Sequence, residues 1–123
     1  GVRHSRRLIG ETQITMDHWR NSGRYPDSIG LCPGISPDFP TLEIPIRSLI
    51  PRVVGGIMVA GRNLSCDVRT HQPLREIPEC WVMGHGAGIA AAVAIEENKS
   101  LRKISIPNLQ KELLRQEAII SPP

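Results

Sequence analysis

The residues with usable chemistry cluster in the middle of the chain. Ile57, Met58, Val59 and Ala60 form an unbroken apolar run that ends on Gly61 and Arg62. A buried strand that ends on glycine places backbone amides at the carboxyl edge of a sheet, where α/β folds bind ligands. The helix that follows is expected to start near Arg75. The amides of Arg75, Glu76 and Ile77 would then be unpaired donors at the positive end of its dipole. Together with the guanidinium groups of Arg62 and Arg75, they could stabilise an anion or an electron-rich carbonyl. Either arginine alone is more commonly an ordinary surface group. His71, which titrates near neutral pH, is the candidate catalytic proton donor or acceptor, although a loop histidine is more often simply solvated. Cys32, Cys66 and Cys80 are an odd number without metal-ligand spacing, which argues against a disulfide framework and against a zinc site. No metal is expected.

The longest expected element is a helix of about 20 residues that opens at Pro78 and runs to the first breaker at Asn98. Its Gly84, Ala87, Gly88, Ala91 and Ala92 fall on one face. Glycine costs about 1 kcal/mol per helical site relative to alanine. Either another backbone or a flat group approaches this face closely, or the helix is an Ala-rich core element that tolerates its glycines. Residues 56–60 read as a short strand buried on both faces, of the parallel-sheet kind. Leu42, Ile44 and Ile46 alternate with Glu43, Pro45 and Arg47, as in a strand that Pro45 confines to an edge or an end. A further strand is expected over 2–9, a short helical turn after Thr15, and mostly loop over the proline-rich residues 25–40. Leu109, Leu113 and Leu114 at helical spacing predict a terminal amphipathic helix over 106–120.

The 123 residues suffice for one domain, and 15 Lys+Arg against 12 Asp+Glu leave a formal charge of only +3. Arg3, Arg6 and Arg7 with no aromatic residues between them make a weak nucleic-acid footprint, so no nucleic-acid partner is expected. Residues 87–95 are the longest apolar run, far short of the roughly 20 residues that cross a bilayer, and no export signal is legible. A cytoplasmic, reducing location is expected. The chain does not open on Met, which suggests a piece of something longer.

Six blocks, "GVRHSRRLIGE", "RYPDSIG", "IPIRSLIP", "IMVAGRNLS", "THQPLREIPECWVMGHGAGIAAAVAI" and "IPNLQKELLRQEA", follow one another in the order and approximate spacing of a known family. The chain resembles the C-terminal part of the FAD-dependent oxidoreductases related in fold to glutathione reductase and to fumarate reductase flavoproteins. The resemblance covers nearly the whole chain. It implies an α/β C-terminal segment of a Rossmann-like FAD-binding fold, with short strands, a long Gly/Ala-rich helix and a terminal amphipathic helix. Residues 1–55 would come from the substrate or cap side, 56–97 would be the late strand and helix that complete the FAD site, and 98–123 would carry the C-terminal helix. By the same resemblance, Gly61 and Arg62 lie beside the pyrophosphate and ribityl part of FAD, and Arg75, Glu76 and Ile77 face the flavin pyrimidine edge. The small face of the helix packs on the Rossmann unit.

No G-x-G-x-x-G motif occurs in the chain, so the phosphate-binding Rossmann part is expected as a partner, on the same polypeptide or another. His4 stands where the family often has Glu, and Val68 and Arg69 stand where a His-Glu pair is common. His71 fits the following histidine. The implied function is an oxidoreductase acting on a small-molecule substrate as part of a longer protein, with this chain inactive alone. The alternative is a non-enzymatic truncated or split module that binds a partner chain.

Overall fold

The computed structural model of the chain describes residues 3, 4 and 6–123. Its elements are α1 (Met16–Asn21), β1 (Ser28–Cys32), β2 (Leu42–Pro45), a 3₁₀ turn (Ile46–Ser48), α2 (His71–Leu74), α3 (Ile77–Glu96), a second 3₁₀ turn (Leu101–Lys103) and α4 (Ile106–Arg115). Helices and strands are mixed, as an α/β chain requires. The sheet among the described residues is small: β1 and β2 pair antiparallel, with Gly30 opposite Ile44 and Cys32 opposite Leu42.

Local chemistry accounts for most of these elements. Thr15 caps α1 by accepting the His18 amide, and Ser105 caps α4 by accepting that of Asn108. A proline in the first turn of α3 forfeits only an amide that would be unpaired there anyway. Pro45 closes β2, the position a residue without an N–H can hold. α4 buries Leu109 and Leu113 and ends at Arg115 rather than running on to 120. Glu117, at φ 63°, turns the chain back, and the Ile120 carbonyl accepts Ser28 Oγ–H at 2.6 Å.

Three expectations need correction. β1 lies inside the stretch read as loop. Its prolines stand outside the strand ends, and burial of Ser28, Ile29, Gly30 and Cys32 covers both faces, so no alternation marks it. The strand expected over 2–9 falls partly outside the described residues. Its described part forms no ladder, although the Leu8 amide donates to Asn63 at 2.8 Å and Gly10 bridges Pro51. Residues 56–60 are not a buried strand. Ile57 is 53% exposed, and the segment makes no ladder among the described residues, although the Val59 amide donates to Leu49 at 2.9 Å. A strand of this type needs a neighbour on each side, and the described chain offers it none.

α3 packs through Met83, Gly86, Ala90 and Val93 toward β1. Close approach occurs at Gly86, where a Cβ would stand 2.4 Å from Ile29 Cδ1 and 2.8 Å from its Cβ. Gly84 and Gly88, on the face expected to be closely packed, have nothing within 4 Å. Ala91 and Ala92 are exposed beside them, and Ala87 is half-buried. Gly86→Ala should therefore destabilise the chain by about 1–3 kcal/mol through overpacking. Gly88→Ala, in open space, should stabilise it by about 0.5–1 kcal/mol. Urea unfolding followed by circular dichroism reads both, and equal midpoints for the two variants would contradict this packing.

Candidate functional site

The turn after residue 60 ties together distant parts of the chain. Gly61 adopts φ 100°, which glycine takes without a Cβ penalty, and its carbonyl accepts the Leu64 amide at 3.1 Å. The Arg62 carbonyl accepts His71 Nε2–H at 2.7 Å, while Arg62 Nε donates to the Arg75 carbonyl at 3.2 Å. Next along the turn, the Asn63 carbonyl takes the Leu8 amide. Cys80 Sγ lies 3.7 Å from where a Cβ on Gly61 would be, so the first turn of α3 abuts this corner.

Arg75 sits at the junction of α2 and α3 and is buried. Its Nη1 donates to the Arg3 carbonyl at 3.0 Å, and its Nε lies 3.9 Å from Glu76 Oε1. α3 begins at Ile77, not near Arg75, because the intervening turn belongs to α2. The Arg75 amide donates to His71 at 3.1 Å, and the Glu76 amide donates to Pro73 at 3.3 Å. Two of the three amides expected to face a ligand are thus used within the chain. The Ile77 amide has no protein partner among the described residues. Glu79, in the same first turn, is buried, and its Oε2 has no hydrogen-bond partner among the described residues.

His71 is enclosed, at 1% exposure, and is not a solvated loop residue. Its Nδ1 stands 2.9 Å from Nδ1 of His4, with ring centroids 5.0 Å apart. Burial lowers its pKa. The hydrogen bond to the Arg62 carbonyl works against that lowering, and the charges of His4, Arg7 and Arg75 add to it. Protein groups occupy both ring nitrogens, so neither is free to exchange a proton with a substrate in this arrangement.

Asp67 fixes the start of this region. Its carboxylate accepts the Met16 and Thr70 amides, both at 2.8 Å, and the Thr70 hydroxyl. Burial acts to raise its pKa, but these bonds and one from the Arg69 backbone outweigh it and hold the carboxyl below its ordinary value. Burial pushes the Cys32 and Cys66 thiols up to about 12 and raises that of Cys80, so all three disfavour the reactive thiolate. Among the described residues no group of three His, Cys, Asp or Glu side chains is placed to hold a metal ion.

Of the residues nominated by sequence, Gly61, Arg62, His71 and Arg75 come together in one hydrogen-bonded cluster. Glu76 and Ile77 lie at its rim with exposed side chains. Sequence reasoning noted His4 only as a departure from the family pattern and missed Asp67 and Glu79. Nothing in local spacing links His4 to a ring 67 residues away. The pattern of Asp67 with Thr70 three residues on is a capping signal that could have been read.

A family model described as FAD dependent oxidoreductase matches residues 34–113, which include every nominated site residue. No curated protein and no solved structure matches the chain.

Asp67→Ala should cost about 1–2 kcal/mol of stability, because it strands the first amides of two helical segments. A carboxylate whose folded pKa is lowered contributes stability that is complete above its unfolded value, near 3.9, and is lost as pH falls through the lower folded value. Acid unfolding of the wild type should therefore be shallower in Asp67→Asn, which carries no such proton linkage. Identical pH profiles for the two would remove Asp67 from this role.

Proposed function

The chain belongs to the FAD-dependent oxidoreductases, and from that membership we propose that it forms one side of an FAD site completed by a Rossmann unit outside this sequence. The observation that carries this reading is the coincidence of a cationic corner with a bare apolar surface. Arg62 and Arg75 meet at the turn, and α3 leaves from it with Ile77 at 62%, Trp81 at 74% and Ile95 at 80% exposure. Between these side chains lie Gly84 and Gly88, open to solvent. A surface this apolar and this flat suits a packed partner better than water.

The residues present fit the role assigned to them. The Arg62 side chain is exposed and cationic, with its Nε already held by the Arg75 carbonyl, a disposition that suits a pyrophosphate. The glycine conformation at Gly61 lets backbone approach a ligand closely. The unpartnered Ile77 amide is a donor for the flavin pyrimidine edge. When bound, FAD supplies the acceptance of hydride or electrons from a small-molecule substrate. The unpaired segment 56–60 would take its ladder partner from the Rossmann sheet, and the small face of α3 would pack against that unit. In this arrangement His71 supports the turn from behind, and Arg75 fixes the opening segment through the Arg3 carbonyl.

The same bare face would serve a non-enzymatic module that only binds a partner chain, and flavin absorbance separates the two readings. The assembled protein should purify yellow, and a colourless assembly would overturn the cofactor site. Arg62→Gln should weaken FAD binding about tenfold, or about 1.4 kcal/mol, in titrations followed by flavin fluorescence. Gly88→Leu, harmless where nothing lies within 4 Å, should abolish assembly with the Rossmann unit. Wild-type FAD affinity in both variants would show that neither the turn nor the helix face lies where we place it.

A further inference from the structure

We infer that His4 and His71 form a proton-ordered pair in which His4 is the positioning residue: it holds His71 in one tautomer, and His71 in turn fastens the Arg62 turn. The inference rests on the cofactor reading only in taking that turn as part of the FAD site.

The argument begins at the Arg62 carbonyl, which can only accept. With the two atoms 2.7 Å apart, His71 Nε2 must carry the hydrogen. A neutral His71 then has a bare Nδ1, and that nitrogen lies 2.9 Å from His4 Nδ1. His4 must therefore donate Nδ1–H. It can do so either as the neutral Nδ1–H tautomer or as the imidazolium, because the difference between these two lies at its other nitrogen. His4 is exposed, whereas His71 is enclosed. The outer ring can thus gain or lose a proton without breaking the chain of hydrogen bonds that ends on Arg62.

A second proton breaks it. On His71 Nδ1 it would set N–H against N–H across the short contact, and the groups around that ring oppose it. The charges of Arg7 and His4, from the opening segment, and of Arg75, from the α2–α3 junction, all act against it. The carboxylate four residues before the ring, on Asp67, is taken up by Thr70 and Met16. Burial acts in the same direction as the cations. The pair therefore keeps its contact with no added proton or with one, and parts with two. Parting releases the opening segment, whose Arg3 carbonyl also serves Arg75.

The test is a pH titration of the ring nitrogens by long-range ¹H–¹⁵N correlation on the full chain labelled at histidine. His71 should remain the neutral Nε2–H tautomer through the range near 6.5 in which open histidines titrate. His4→Asn, whose side-chain N–H can replace the donor, should leave His71 depressed. His4→Ala removes the donor, the nearby charge and the cover, and all three losses move the His71 pKa up toward about 6.5. His4→Glu replaces the donor with an acceptor and should drive His71 above that value as an imidazolium. A wild-type His71 that titrates as an open histidine, an Nδ1–H tautomer, indifference to the Ala change, or the same rise in the Asn variant as in the Ala variant would overturn the pair. If His4→Glu fails to fold, the other two variants still decide. Because the rings are read directly, a protein that binds no flavin would sink the cofactor reading and leave this result standing.

Discussion

The Arg62 peptide is the joint on which the candidate site depends. Its carbonyl is held by a buried imidazole, its side chain by the Arg75 carbonyl, and the residue after it by the Leu8 amide. These bonds come from α2, from its junction with α3 and from the opening segment. A turn with a glycine at φ 100° would be floppy if left to itself, since glycine gives up more conformational freedom on folding than any other residue. Here the constraint is external and polar. The cost of leaving a buried partner such as His71 unpaired, about 1–3 kcal/mol, favours a single arrangement of the corner.

Around that joint, buried and paired segments alternate with exposed ones. From Leu64 onward, side chains enter the core and backbone groups pair, as the Ser65 amide does with Ser48. Residues 53–57, by contrast, lie exposed, as does the outer face of α3. Fully burying a large apolar side chain stabilises by about 1.5–3 kcal/mol, so Ile57, Ile77, Trp81 and Ile95 together hold a substantial driving force for association. The inner face of α3 is already used on β1. The helix is apolar on both sides, and among the described residues only its inner side is covered.

What could be read from sequence follows the same division. The extent of α3 was legible, because an early proline and a long absence of breakers are local signals, and so were the start of α1 after Thr15 and the leucine spacing of α4. β1 was not, since a strand covered on both faces carries no alternation and its flanking prolines look like loop. Pro78 marked the start of α3 to within one residue, whereas its placement near Arg75 was two residues early for a physical reason: α2 ends at Leu74 with its own turn, and the amides of Arg75 and Glu76 close it. At the site, Gly61, Arg62 and Arg75 were legible as a glycine and two cations near a strand end and a helix start. The enclosure of His71 was not, because its ring partners, His4 and the Arg62 carbonyl, are brought to it only by the folded chain.

The electrostatics of the corner shift the weight among these groups. A helix N-terminus carries about half a positive charge, and that field is what would favour an anionic ligand. In α3, the buried Glu79 sits within the first turn and places a carboxylate inside that field. The helix end is therefore partly answered from within. With two of the expected amides also spent, the dipole is a weaker attraction here than its geometry alone suggests. The guanidinium groups are not offset in the same way. Arg62 uses its Nε on a carbonyl, which adds no negative charge, and Arg75 faces a carbonyl and only a distant, solvent-exposed Glu76. In the proposed site, recognition of an anion would rest first on Arg62, with the buried charge of Arg75 behind it and the Ile77 amide as a single directional donor.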